Sequence, residues 1–275
     1  MKADSFYFYE NNDEMKKPKE IIALEKLYNI QLQQTFCKDD ILNVDRNNLF
    51  LLDKKENVLG LNLSGNKIDE IKGFEDVKEV LYLNFYNNSL KVIENLQHLR
   101  KLEILILSNN KIVKLNEISN PNLKILNLTS NQITKIIGLE KLKNLEEIYF
   151  TLNHIKEIKN FENLRNLKVL KIDFNDLTAL DFEAFCNCNL KYLDLRNNWI
   201  NKLMNLEFVK EIEHLNLKYN HINEVQIIKE ILNFKNLNYI NVEGNPFLNN
   251  TNLELRGYGY ENHVDDLRQY FHSQC

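Results

Sequence analysis

The chain has 275 residues, 27% of them charged, a net charge of −4 and four cysteines. That balance excludes a nucleic-acid binder held by a basic stripe, and no apolar window is long enough for a transmembrane span. Cys37, Cys186, Cys188 and Cys275 make no paired clusters, which excludes a disulfide-stapled scaffold; the lone C-x-C of Cys186 and Cys188 falls short of a zinc site, and no metal or cofactor is expected.

In chain order, residues 1–17 are polar and read as a flexible segment with no apolar stretch suited to a signal peptide, so a cytoplasmic, reduced protein is expected. The run Phe6-Tyr7-Phe8-Tyr9 inside it is either a docked strand or an unstructured start. Residues 18–57 read as an N-terminal cap. Pro18 to Tyr28 has Ile21, Leu24 and Tyr28 on one helical face, with Asn29 placed to end it. Leu49–Leu52 and Val58–Leu63 flank a polar turn and read as a hairpin whose second arm is the first repeat's strand; a degenerate tenth repeat at 36–57 is the alternative.

Over 58–248 one pattern recurs nine times: apolar, two variable, apolar, variable, apolar, two variable, Asn, variable, Ile or Leu. Its Asn falls at Asn66, Asn88, Asn110, Asn131, Asn153, Asn175, Asn198, Asn220 and Asn245, with spacings of 21–25 residues. Such a period is the mark of a solenoid. In the third copy Leu105 and Leu107 lie two apart, which is strand period, so both point inward. Strands are predicted near 59–63, 81–85, 103–107, 124–128, 146–150, 168–172, 191–195, 213–217 and 238–242, side by side in one concave parallel sheet. Apolar pairs three apart, such as Leu96, Leu99 and Leu102, suit a short 3₁₀ or α return segment on the convex side. The phased Asn, carrying donors and an acceptor, is expected to be buried and to satisfy turn backbone groups as a ladder. One repeat buries too little to stand alone, so stability belongs to the array. Lys–Glu runs such as Lys156-Glu157 and Lys210-Glu211 read as a solvated outer face. Residues 249–275 read as a C-terminal cap, with Asn262 before a helix that turns Val264, Leu267 and Phe271 inward.

The pattern LxxLxLxxNxI over 58–248 resembles the leucine-rich repeats of the protein phosphatase 1 regulatory subunit and the internalins; the helix with its Leu49-to-Leu63 hairpin, and Gly244-Asn245-Pro246 followed by a short helix ending Tyr270-Phe271, look closer to bacterial cytoplasmic arrays. The resemblance implies an α/β solenoid, a right-handed superhelix with helical caps at both ends. For function, the third, fifth, seventh and eighth positions of each repeat are expected on the concave face, free to vary. They carry Tyr82, Tyr86, Ile104, Ile106, Ile125, Tyr149, Leu152, Val169, Phe174, Tyr192, Arg196, Lys218, Tyr219 and Tyr239, with Trp199 just past the seventh Asn. Aromatic and aliphatic groups mixed with Arg and Asp match protein-interface hot spots. No phosphate loop, zinc-protease motif or Ser–His–Asp order occurs. The one acid–base pairing suggested is His214 and His221 near Asp194, on an open sheet that excludes little water. The expectation is a monomeric, non-catalytic scaffold for another protein, binding neither nucleic acid nor membrane. The alternative is a regulatory or ligand-sensing subunit of a separately encoded phosphatase, kinase or GTPase.

Overall fold

Pro18 sits just before the first helix, α1 (Lys19–Tyr28), and Asn29 ends it by turning left-handed at φ 52°. The computed structural model describes residues 17–250 and 262–273; Phe6–Tyr9, Thr251–Glu261 and Cys275 lie outside the described residues. Lys17, the last residue of the segment read as flexible, forms a 2.6 Å ion pair with Glu25 of α1. Ile21 and Leu24 are fully buried, and the Tyr28 hydroxyl donates to the carbonyl of Lys72 at 2.8 Å. The helix thereby covers the open end of the first turn.

After α1 come β1 (Gln33–Thr35), α2 (Lys38–Leu42), β2 (Leu49–Leu52) and β3 (Val58–Asn62). β1 runs parallel to β2, and β2 is antiparallel to β3 across a turn that the Asp53 carboxylate closes by accepting from the amides of Lys55 and Asn57. A tenth solenoid turn would have put β2 parallel to β3, so that alternative fails. The placement of α2 was not legible in the sequence. It lies across the concave face of the first two repeats. Ile41 is fully buried against Gly60, where a β-carbon would come within 3.1 Å of it. The Asn62 amide donates to the carbonyls of Asp40, Asn43 and Arg46, and that of Asn84 to the carbonyl of Ile41.

The remaining strands are β4 (Tyr82–Asn84), β5 (Ile104–Ile106), β6 (Ile125–Asn127), β7 (Glu147–Tyr149), β8 (Val169–Lys171), β9 (Ala179–Asp181), β10 (Tyr192–Asp194), β11 (Lys202–Met204), β12 (His214–Asn216) and β13 (Tyr239–Asn241). β3 to β8, β10, β12 and β13 are the nine predicted repeat strands, each falling on its predicted span and most of them shorter. They pair in parallel in sequence order and, with β1 and β2, form one eleven-stranded sheet. Leu105, Leu126, Ile148, Leu170 and their equivalents point into the coil and are fully buried.

Eight of the nine phased asparagines are buried. Asn131 shows the pattern: its amide nitrogen donates to Leu107 in the preceding turn and to Leu128 in its own, both at 3.0 Å, while its oxygen accepts from the amide of Ile112. The exception is Asn66, half-buried because no repeat precedes it; Asn48 of the cap accepts from it instead.

The return segments vary. Leu99 and Leu102 donate to the carbonyls three residues back, as do Leu142, Leu145, Leu164 and Leu167, giving successive tight turns. In the sixth and seventh repeats the segment gains β9 and β11, which pair in parallel, each followed by a 3₁₀ turn (Phe182–Phe185 and Leu206–Val209). The eighth repeat substitutes a helix, α3 (Val225–Leu232). Beyond β13, Asn262 accepts from the amides of Ile240 and Val264 and leads into α4 (Val264–Ser273), whose Val264 and Leu267 are buried and whose Phe271 is partly so.

Inside and outside are therefore distinguishable by substitution. Asn131→Ala leaves three buried backbone groups without this partner and is expected to lower unfolding free energy by about 1–3 kcal/mol. Lys156→Ala, on the exposed side, should change it by less than about 0.5 kcal/mol. Urea unfolding of the two variants beside the parent checks this; equal midpoint shifts would overturn the assignment of the ladder.

Candidate protein-binding face

Each strand offers its first and third residues to the concave side, but the face is not uniformly open. At its N-terminal end Tyr82 lies beneath Lys38 of α2, whose ammonium is 4.7 Å from the ring centroid. Tyr86 and Ile125 are half-buried. Ile104 and Ile106, expected as exposed contact residues, are each only 8% accessible. The parallel register explains this, since Tyr82 and Ile125 flank Ile104 while Asn84 and Asn127 flank Ile106 at strand spacing. Neighbouring side chains have closed over them, and they work as a second, outer layer of core.

The C-terminal half differs in chemistry. Tyr192, His214 and Tyr239 occupy adjacent strands in register, and their rings stack at 4.0 and 3.8 Å between centroids. The Lys171 ammonium lies 5.6 Å from Tyr149 and 5.4 Å from Tyr192. Val169 beside them is half-buried, and the Tyr149 hydroxyl donates to Glu147. Below this row, Arg196 joins the buried carboxylates of Asp173 at 3.1 Å and Asp194 at 3.6 Å, and Thr151 donates to Asp173. Lys218 pairs with Glu243 at 2.6 Å. Arg196 and Lys218, read from sequence as contact residues, thus spend their charge within the face.

Burial and the neighbouring Asp173 carboxylate push Asp194 up to about 6. Burial, and then the Lys171 ammonium, push the His214 imidazole down to about 4. The sequence suggested a His–acid pairing with Asp194; the structure places His214 between two tyrosines instead. His221 stacks on Trp199 at 5.1 Å, and the His–acid contact that does form, His154 with Asp176 at 3.6 Å, is on the exposed turns. Cys188 packs in the sixth return segment, its thiol donating to the carbonyl of Phe161 and pushed up to about 12, chiefly by burial; Cys186 is exposed. Among the described residues no group of three or more acidic, His or Cys side chains is arranged to hold a metal.

The eighth position of each repeat was read as a freely variable strand position. It is a turn position with a fixed conformation. Gly65, Asn87, Asn109, Ser130, Leu152, Phe174, Asn197, Tyr219 and Gly244 all have φ between 52° and 74°. Left-handed backbone there lets the amide donate to the next turn, as Leu152 does to Asp173 and Phe174 to Arg196, both at 3.0 Å. Gly and Asn fit that requirement; Ser does so at a cost, and Leu, Phe and Tyr at a larger one. Yet Leu152, Phe174 and Tyr219 stand there 50%, 43% and 47% exposed, and Trp199 is 57% exposed beside them. The result is an apolar ledge along the strand exits of repeats five to eight. Arg196 lies 5.8 Å over the Phe174 ring, and Tyr219 lies flat on Gly244, where a β-carbon would meet its ring at 2.2 Å.

The nine-strand parallel coil with its asparagine ladder decides the family, and two family models agree: Leucine rich repeat matches residues 165–222 and Leucine Rich repeats (2 copies) matches 121–166. The chain is a leucine-rich repeat protein. Its fold is similar to that of a leucine-rich repeat protein of Leptospira interrogans (25% identity, TM-score 0.56, covering 81% of this chain and 62% of that one). It is also similar to the functional domain of InlJ from Listeria monocytogenes (22% identity, TM-score 0.59, 80% and 50% covered). A third likeness is to the LRIM1/APL1C complex (19% identity, TM-score 0.60, 78% and 43% covered). The chain therefore spans less than two thirds of the length of each. A search of curated proteins found no match. No helix among the described residues is long and apolar enough to cross a membrane.

Two predictions belong to this face. Leu152→Asn exchanges an exposed apolar side chain for one that tolerates the left-handed turn, and should raise unfolding free energy by about 0.5–1 kcal/mol in urea. A clear loss would show that Leu152 serves the fold. The second concerns pH. His214, depressed in the fold, contributes stability present above about pH 6.5 and lost as pH falls towards about 4. Asp194, raised in the fold, does the opposite: its native state gains as pH falls from about 6. Asp194→Asn should steepen the loss of stability between neutral pH and pH about 4.5, and His214→Phe should reverse or flatten it. Urea midpoints at the two pH values for each variant would expose identical slopes, the result that contradicts this assignment.

Proposed function

We propose that this protein is a non-catalytic binder that grips another protein on the C-terminal half of its concave face and the adjoining ledge. The observation that carries the reading is the row of exposed Leu152, Phe174 and Tyr219 in left-handed turn positions. A position whose conformation favours Gly or Asn, held by large apolar groups in repeats five, six and eight, is a local cost with no matching gain in burial. Beside it lies the row of Tyr149, Tyr192 and Tyr239, with Trp199 past the turn. Rigid aromatics next to buried ion pairs are the make-up of an interface centre. The leucine-rich repeat fold is a general protein-interaction scaffold, and one similar structure is itself a complex. The N-terminal third contributes less to this reading, because α2 covers the first two repeats and Ile104 and Ile106 are buried.

Affinity capture on the full chain, with proteins identified by mass spectrometry, supplies the partner. Tyr149→Ala combined with Phe174→Ala should then leave the circular-dichroism spectrum unchanged and weaken that partner about thirtyfold, or roughly 2 kcal/mol. Unchanged affinity would remove the site from this face. A phosphatase, kinase or GTPase as the captured partner would make the protein a regulatory subunit acting through the same surface.

A further inference from the structure

On the opposite, convex flank, the two-stranded sheet of β9 and β11 stops abruptly. β9 pairs with β11, but the eighth repeat supplies no third strand, because its return segment is the helix α3. α3 faces β11 across a groove, lined by Leu203 on the strand and by Ile227 and Glu230 on the helix. The main-chain groups of Lys202–Met204 that face away from β9 find no hydrogen-bond partner among the described residues.

A groove of about 660 Å³ opens where that third strand would lie. Leu203, Leu206, Ile227 and Phe234 form its floor, each no more than 9% accessible. Its rim carries Glu207, Glu211 and Glu230 against Lys210 and Lys235, and Lys202 on the strand beside it brings the signs level. The rim thus selects no net charge. What the site does ask for is alternating main-chain donors and acceptors along one wall and apolar side chains below, and an extended polypeptide supplies both.

We infer that β11 is an open docking edge at which an extended segment of a partner protein adds as a third strand, setting apolar side chains into the groove between the seventh and eighth return segments. This site is separate from the concave face, and the two can fail independently.

The test pans a phage-displayed library of random peptides on the full chain and resynthesises the enriched sequences as probes. Expected are peptides with apolar residues at alternate positions that slow amide hydrogen exchange across residues 201–205 and bind with little dependence on salt. Glu230→Trp and Asn233→Trp, exposed positions whose indole would fill the groove, should each weaken binding about tenfold or more while keeping the parent's urea midpoint. Phe174→Ala should leave it unchanged. The inference is overturned if no peptide is enriched, if the tryptophan variants bind as tightly as the parent, or if protection falls elsewhere. Sedimentation showing a dimer that Glu230→Trp dissociates would assign the edge to a second copy of the chain and equally overturn it.

Discussion

One side-chain amide per turn holds this molecule in register. From Asn88 to Asn245, each phased asparagine binds carbonyls of its own turn and the one before, and its oxygen takes an amide from the preceding repeat. The strands exchange three residues' worth of sheet per turn, and nothing in that short pairing stops the chain from slipping where it leaves the sheet. The amide does so because it satisfies groups that no ladder bond can reach, in a place from which water is excluded. Loss of one rung therefore costs more than a hydrogen bond; it strands a buried amide donor of the preceding turn and leaves each carbonyl with only the neighbouring asparagine.

Much of this was legible because burial at fixed phase imposes residue type. The Asn positions and the inward Leu and Ile are dictated by neighbours identical in every turn, so the pattern repeats and can be read. The parts that escaped reading depend on contacts made once. Nothing local in Lys38–Leu42 announces that Ile41 will pack on Gly60, although a glycine at a concave strand position was a trace of it. Ile104 and Ile106 were read as open because strand alternation gives direction, not depth; their cover comes from strands about twenty residues away in sequence. The left-handed eighth position did leave a signal, the Gly, Asn and Ser of six repeats, that was masked by Leu152, Phe174 and Tyr219. The same exceptions now mark the candidate site. The residues of a second row, Asn122, Asn144, Asn166 and Asn187, each donate to a carbonyl of the preceding return segment and repeat at the same period, on the exposed side where many residue types share that spacing.

The face itself divides into a half that serves the fold and a half with groups to spare. Near the N-terminus the cap uses Asn62 and Asn84 as anchors, so their amides are committed. Further along, ions are paired internally and aromatic rings stack across strands, leaving edges and hydroxyls outward. Such a surface is rigid before anything binds to it, and ordering it costs a partner little.

The distance from strand to asparagine never changes along the array, while the stretch from one asparagine to the next strand varies between turns and contains a whole helix in the eighth. Added length is therefore accommodated on one flank, where it lengthens a crossing without moving a rung. The inner wall is a template with one permitted spacing; the outer wall accepts a tight turn, a short strand or the helix α3 in the same place.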